Sequence, residues 1–135
     1  MGKYERTQAD VFSIFNQLAW KAEQIKTYPV NYISVTQDSE YIRVSVIPSG
    51  RGINLNSTSG LVLIDIFISA GNGPRRASLI ADKLDKYLVG KSIVTQDNAN
   101  TQFGQSSLVT KGLDRDNPTL YASTYSIPFN YFGVF

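Results

Sequence analysis

A chain of 135 residues, 42% of them apolar, falls in the size range of one domain and can bury a real core. It contains no cysteine and no histidine, which removes disulfides, thiolate metal sites and the commonest zinc ligand and acid/base group. A formal charge of +2 is too weak a basic bias to imply nucleic-acid binding, so the partners are read as proteins.

The first residues, Met1 to Asp10, are polar and hold no apolar signal-like core, and no apolar run approaches the roughly 20 residues needed to span a bilayer. A soluble, unsecreted protein is the reading. Thr7 with Asp10 three residues on predicts an N-cap and an acidic first turn, with one helix running to about Lys26. Val11, Ile14, Phe15, Leu18, Ala22 and Ile25 give its apolar stripe. Trp20 then falls on the opposite face, where it either contacts another subunit or is covered by a local segment.

Tyr28-Pro29 ends that helix, and Tyr41 to Ile47 alternates as a half-buried strand with Ile42, Val44 and Val46 on one face. The polar run from Ser49 to Gly60 exceeds an ordinary hairpin loop and predicts a projecting arm. Leu61 to Ser69 is apolar at nearly every position, the pattern of a central strand covered on both faces. Asp65 is its exception and calls for a cation; Arg43, on the same side of the sheet, is the expected intramolecular partner.

Gly73-Pro74 opens a second helix with Ala77, Ile80, Ala81, Leu84 and Leu88 as its stripe and Gly90 as C-cap. Arg75 and Arg76 stand in its first turn, against the helix dipole. They are either solvated or offset by a partner, and Gly71-Asn72-Gly73 could turn N–H groups toward an anion. No nucleotide-binding fingerprint accompanies them.

Ser92 to Thr95 reads as a short strand, and Gln96 to Ser106, polar apart from Ala99 and Phe103, as a loop. Ser107 to Leu113 and Leu120 to Phe129 read as two more strands joined through the turn-forming run Asp114 to Pro118. The last residues, Asn130 to Phe135, include Tyr131, Phe132 and Phe135, which either fold back or dock on another subunit; docking is the reading for Phe132 and Phe135. The carboxylates Glu23, Glu40, Asp82, Asp85, Asp114 and Asp116 form no catalytic or metal pattern, and no Gly-x-Ser-x-Gly elbow occurs. The chain is therefore read as a non-enzyme with no cofactor and no metal.

The fold class that follows is α/β of the α+β type: one domain over 1–135, a mostly antiparallel or mixed sheet packed on one face by two helices, with long projecting loops. Four motifs carry a resemblance: Arg43-Val44-Ser45-Val46-Ile47-Pro48-Ser49-Gly50, the strand Ile64-Asp65-Ile66-Phe67-Ile68, the helix start Gly71 to Arg75, and Ile127-Pro128-Phe129. In this order they resemble the small tail terminator, or tail completion, proteins of long-tailed bacteriophages (minor tail protein U-like). The chain departs from that pattern where Asn130 and an aromatic tail replace a charged residue after Ile-Pro-Phe.

The resemblance implies a structural virion protein made in the host cytoplasm. Such proteins form a ring, typically hexameric, on the head-proximal end of the tail tube. The ring stops tube polymerisation and meets the neck or head-completion protein, and DNA passes through its lumen without specific binding. Trp20, Arg43, Asp65, Arg75, Arg76, Phe103, Phe132 and Phe135 are the candidate contacts with subunits or partners, along with the two long loops and the exposed sheet face. Two other classes stand beside this reading. One is a different neck or tail component, such as a head-completion or tube protein. The other is a single-strand nucleic-acid binder using Tyr41, Tyr121 and Tyr125 with Arg43 nearby.

Overall fold

β-branched and aromatic residues build a sheet around the apolar run at Leu61 to Ser69. The computed structural model describes residues 2–29, 40–51, 54–69, 73–94, 99–113 and 120–133. In chain order the helices are α1 (Lys3–Phe15), α2 (Leu18–Ala22) and α3 (Gly73–Leu88). The strands are β1 (Thr27–Pro29), β2 (Tyr41–Arg51), β3 (Thr58–Ser69), β4 (Ser92–Val94), β5 (Asn100–Phe103), β6 (Ser107–Leu113) and β7 (Leu120–Phe132). They form one mixed seven-stranded sheet in the order β1-β2-β3-β7-β5-β4, with β6 also on β7. Among the described residues β1 and β2 pair in parallel and the other pairings are antiparallel.

β5 and β6 occupy successive lengths of the same β7 edge. β5 lies opposite residues 129–132 and β6 opposite residues 121–126. Between them the Gly104 N–H donates to the Pro128 carbonyl at 2.9 Å. The two strands therefore act as one long strand interrupted once.

The core lies between one sheet face and the helices. Ile42 and Val44, the even residues Val62 to Ile68, and Tyr125, Ile127 and Phe129 form a single cluster with Val11, Ile14 and Phe15 of α1 and Ile80, Ala81, Leu84 and Leu88 of α3. Gly90, just beyond α3, has φ +69°, the left-handed geometry expected of a helix-ending glycine.

Several sequence expectations are corrected. The first helix is two helices, making three among the described residues instead of two, because the chain breaks at Asn16 and at Gln17, which has extended ψ 145°. Thr7 is not an N-cap; it sits inside α1, fully buried, with its Oγ1 donating to the Lys3 carbonyl at 2.7 Å. Asp10 lies mid-helix and is buried, accepting from Thr101 Oγ1 at 2.7 Å.

The break also changes which residues face inward. Leu18 is 85% exposed and Ala22 is exposed, whereas Trp20 is 1% exposed. Half of the expected arm from Ser49 to Gly60 is strand, since β2 continues to Arg51 and β3 begins at Thr58. The expected loop from Gln96 to Ser106 contains β5, whose inward residues Thr101 and Phe103 are buried. In both stretches polar residues pair in the sheet because backbone hydrogen bonding, not side-chain hydropathy, holds a ladder together.

Candidate interface surfaces

Strand parity puts Tyr41, Arg43, Ser45 and Ile47 of β2, Leu61, Leu63, Asp65 and Phe67 of β3, and Thr124 and Pro128 of β7 on the sheet face opposite the helix core. No described helix packs on it. At its centre Asp65 gathers three partners: Arg43 Nη2 at 3.3 Å on Oδ2, Thr124 Oγ1 donating to Oδ1 at 3.1 Å, and Lys111 Nζ at 3.6 Å from Oδ1. The register aligns Arg43, Asp65 and Thr124 directly across β2, β3 and β7, so the intramolecular Arg43 pair expected from the strand pattern forms. Lys111 reaches in from β6, where a bulge lies between Thr110 and Gly112.

Either side of this polar centre the face is apolar. At one end Tyr41 stacks on Phe67 with centroids 4.7 Å apart, the Arg43 guanidinium lies 5.2 Å from the Phe67 ring, and Phe67, Leu120 and Ala122 are buried together. Toward the other end Ile47 is 40% exposed and Leu61 38%. At the β6 margin Val109 is 60% exposed. These exposed apolar residues were missed as candidates. The available signal was Ser107 to Leu113 itself, a strand with apolar side chains at both parities and no helix in sequence beside it.

A second surface lies at the start of α3. Arg76 grips Glu40 bidentately, through Nε at 3.1 Å to both oxygens and Nη2 at 2.6 Å to Oε1. That hydrogen bonding raises the guanidinium above its ordinary value. Arg75 is exposed and makes no ion pair among the described residues. With Ser78, Leu79 and Asp82 these side chains line an open groove of about 630 Å³. Arg76 is thus offset from within the chain. The Gly71-Asn72 backbone lies outside the described residues.

The remaining candidates are distributed through the fold. Trp20 is corrected from surface to core: its ring meets Phe15 and Tyr87 edge-on at 5.2 and 5.3 Å, and its Nε1 donates to Thr27 Oγ1 at 2.9 Å. Phe103 is buried in the same core, 5% exposed, because β5 turns it toward the helices. Neither side chain is available to another subunit. Phe132 ends β7 opposite Asn100 and is half-buried there. Gly133 beyond it is tied to the turn at 54–57 through its N–H to Ser57 Oγ at 2.9 Å. Phe135 lies outside the described residues.

The tyrosine platform of a nucleic-acid binder does not assemble. Tyr41 is on the open face, whereas Tyr121 and Tyr125 have the opposite parity and Tyr125 is buried against α3.

No protein-family model matches the chain, and no curated protein matches it. One solved structure, whose name states no function, resembles it in fold over 98% of this chain and 92% of its own length, with a TM-score of 0.61 at 14% identity. At that identity the likeness shows the fold alone. It supports an α+β architecture for the whole length.

Proposed function

We propose that the chain is a structural subunit of a phage virion, forming a ring that caps the head-proximal end of the tail tube, ends tube polymerisation and offers a surface to the neck. The supporting observation is the order of elements along the whole chain. A helical segment precedes the β2–β3 hairpin with its proline, α3 opens at Gly73 with Pro74 and two arginines, and the last strand carries Ile127-Pro128-Phe129. In this reading α1 and α3 are the two helices that back the sheet, and the opposite face meets a neighbour or the tube. The subunit binds itself, typically as a hexamer, together with the tube protein and a head-completion protein, and DNA threads the lumen without specific contacts.

Light scattering over a range of protein and salt concentrations, with and without polymerised tail tube, followed by negative-stain imaging, tests the reading. Closed rings on tube ends are the expected result. A chain that ignores tube ends under all these conditions removes it.

A further inference from the structure

The joint between α1 and α2 is a single turned residue. Asn16 keeps near-helical angles, φ −91° and ψ −3°, so ψ 145° at Gln17 alone redirects the chain. Gln17 makes no side-chain cap bond to the start of α2, and the Lys21 N–H donates to its carbonyl at 3.1 Å. With Gln17 helical, the N–H groups of Leu18, Ala19 and Trp20 would instead reach the carbonyls of Ile14, Phe15 and Asn16. The break therefore forgoes three backbone bonds that a straight helix makes.

A straightened joint would run Lys3–Ala22 as one helix about 30 Å long. Trp20 decides which way it points. Its ring lies edge-on to Tyr87 and its Nε1 donates to Thr27 Oγ1, so α2 is anchored with that side inward. Leu18 and Ala22, two positions either side of Trp20 and about 200° round the helix from it, are exposed. Val11, Ile14 and Phe15, now in the core, would fall into line with them at three- and four-residue spacing. That stripe would face away from the chain's own core and require another molecule to cover it. The seat left by α1 on β2 and β5 would be equally incomplete, with the Thr101 hydroxyl lacking its Asp10 acceptor. What fits such a seat is another α1, which brings Asp10 for Thr101 and Phe15 for Trp20.

We propose that this chain associates with a second copy by exchanging α1, the helix swinging out at Gln17 to fill the seat of its neighbour. The contacts of α1 are remade there, so the closed and exchanged forms differ in the joint and in the entropy of association. The joint gains its three backbone bonds and Leu18 joins a covered stripe. Passing α1 from copy to copy around a ring rests on the function proposed above; the exchange itself rests on the joint.

Lys3 Nζ lies 3.3 Å from the Leu55 carbonyl and the chain has no cysteine, so Lys3→Cys and Leu55→Cys mark α1 and its seat without background. The full-length double variant, linked within one chain by a short bismaleimide in dilute solution, holds α1 in its own seat. In light scattering over a concentration series the unlinked form is expected to associate and the linked form to stay monomeric. The two single variants, concentrated together before linking, should give the mixed 3–55 product in excess of either homodimer. Leu18→Pro suits the broken joint, since proline fits the first helical position after an extended residue, but interrupts a straight helix; it should weaken association about a hundredfold while unfolding stays cooperative. Asn16→Ala should strengthen association about threefold by favouring the straight helix. Equal association of the linked and unlinked forms, or a monomer at every concentration for both the parent and Asn16→Ala, would overturn the proposal. Tube capping by the linked chain removes the exchange and leaves the terminator reading, whereas exchanged copies that ignore tube ends do the reverse.

Discussion

Replacing Trp20 by alanine removes an indole packed against Phe15 and Tyr87 and 1% exposed, and is expected to destabilise the protein by about 3–5 kcal/mol in urea unfolding. Leu18, two positions earlier and 85% exposed, should tolerate Leu18→Ser within about 0.5 kcal/mol. The same unfolding curves check both. Near Trp20, Glu23 accepts from Lys83 Nζ at 2.9 Å and from Tyr87 OH at 3.3 Å. The Lys83 hydrogen bond holds the carboxyl below its ordinary 4.5. A depressed carboxyl contributes stability that is complete above that value and is lost as pH falls through the lower folded one. Glu23→Gln should therefore differ from the parent in urea midpoint at neutral pH and converge with it in acid. A gap that stays constant with pH would rule the ion pair out as its source.

At the scale of elements, Asp85 joins α3 to the sheet by accepting from Tyr125 OH at 2.6 Å and Ser106 Oγ at 2.5 Å. Burial, followed by the bond to Asp85, pushes the Tyr125 phenol above its ordinary 10.0. The neutral phenol is thus favoured in the fold, so its contribution is complete below that value and declines as pH rises toward the folded one. In an alkaline absorbance titration Tyr125 should ionise only as the protein unfolds, and Tyr125→Phe should delete that late step. The β2–β3 hairpin makes a steric prediction. A Cβ at Gly60 would run into the Ile47 carbonyl oxygen, so Gly60→Ala should cost about 1–3 kcal/mol, read as a lowered melting temperature.

These elements differ in how legible they were. α3, β6 and the start of β7 stand close to where periodicity and the Gly-Pro start put them, and Arg43 meets Asp65 because parity alone places them on one face. The helix break at Asn16-Gln17 was hidden because Leu18 and Ala22 continue the apolar spacing, and only the packing of Trp20 decides which side turns inward. β5 was hidden because Asn100, Thr101 and Gln102 are polar and gain their place from pairing with β7, a partner thirty residues away. Of the candidate contacts, the Arg43–Asp65 pair was readable, whereas Lys111 was not, because a register shift between Thr110 and Gly112 in β6 brings it to Asp65 and no local pattern encodes that shift.

At the scale of the molecule, β7 borders β3 on one side and both β5 and β6 on the other. A chain ending before Leu120 loses the strand that joins both halves of the sheet and should fail to fold, giving exposed Trp20 emission and no cooperative melt; a cooperative transition would show that the halves stand alone. β7 is also last in chain order. During translation β3 therefore has one unfilled side until its final partner is made, and the polypeptide carries a long-range pairing that cannot form early. A ribosome-bound fragment lacking β7 therefore leaves the β3 side opposite residues 120–131 unpaired, so the two halves of the sheet stay apart until the last described strand has been made.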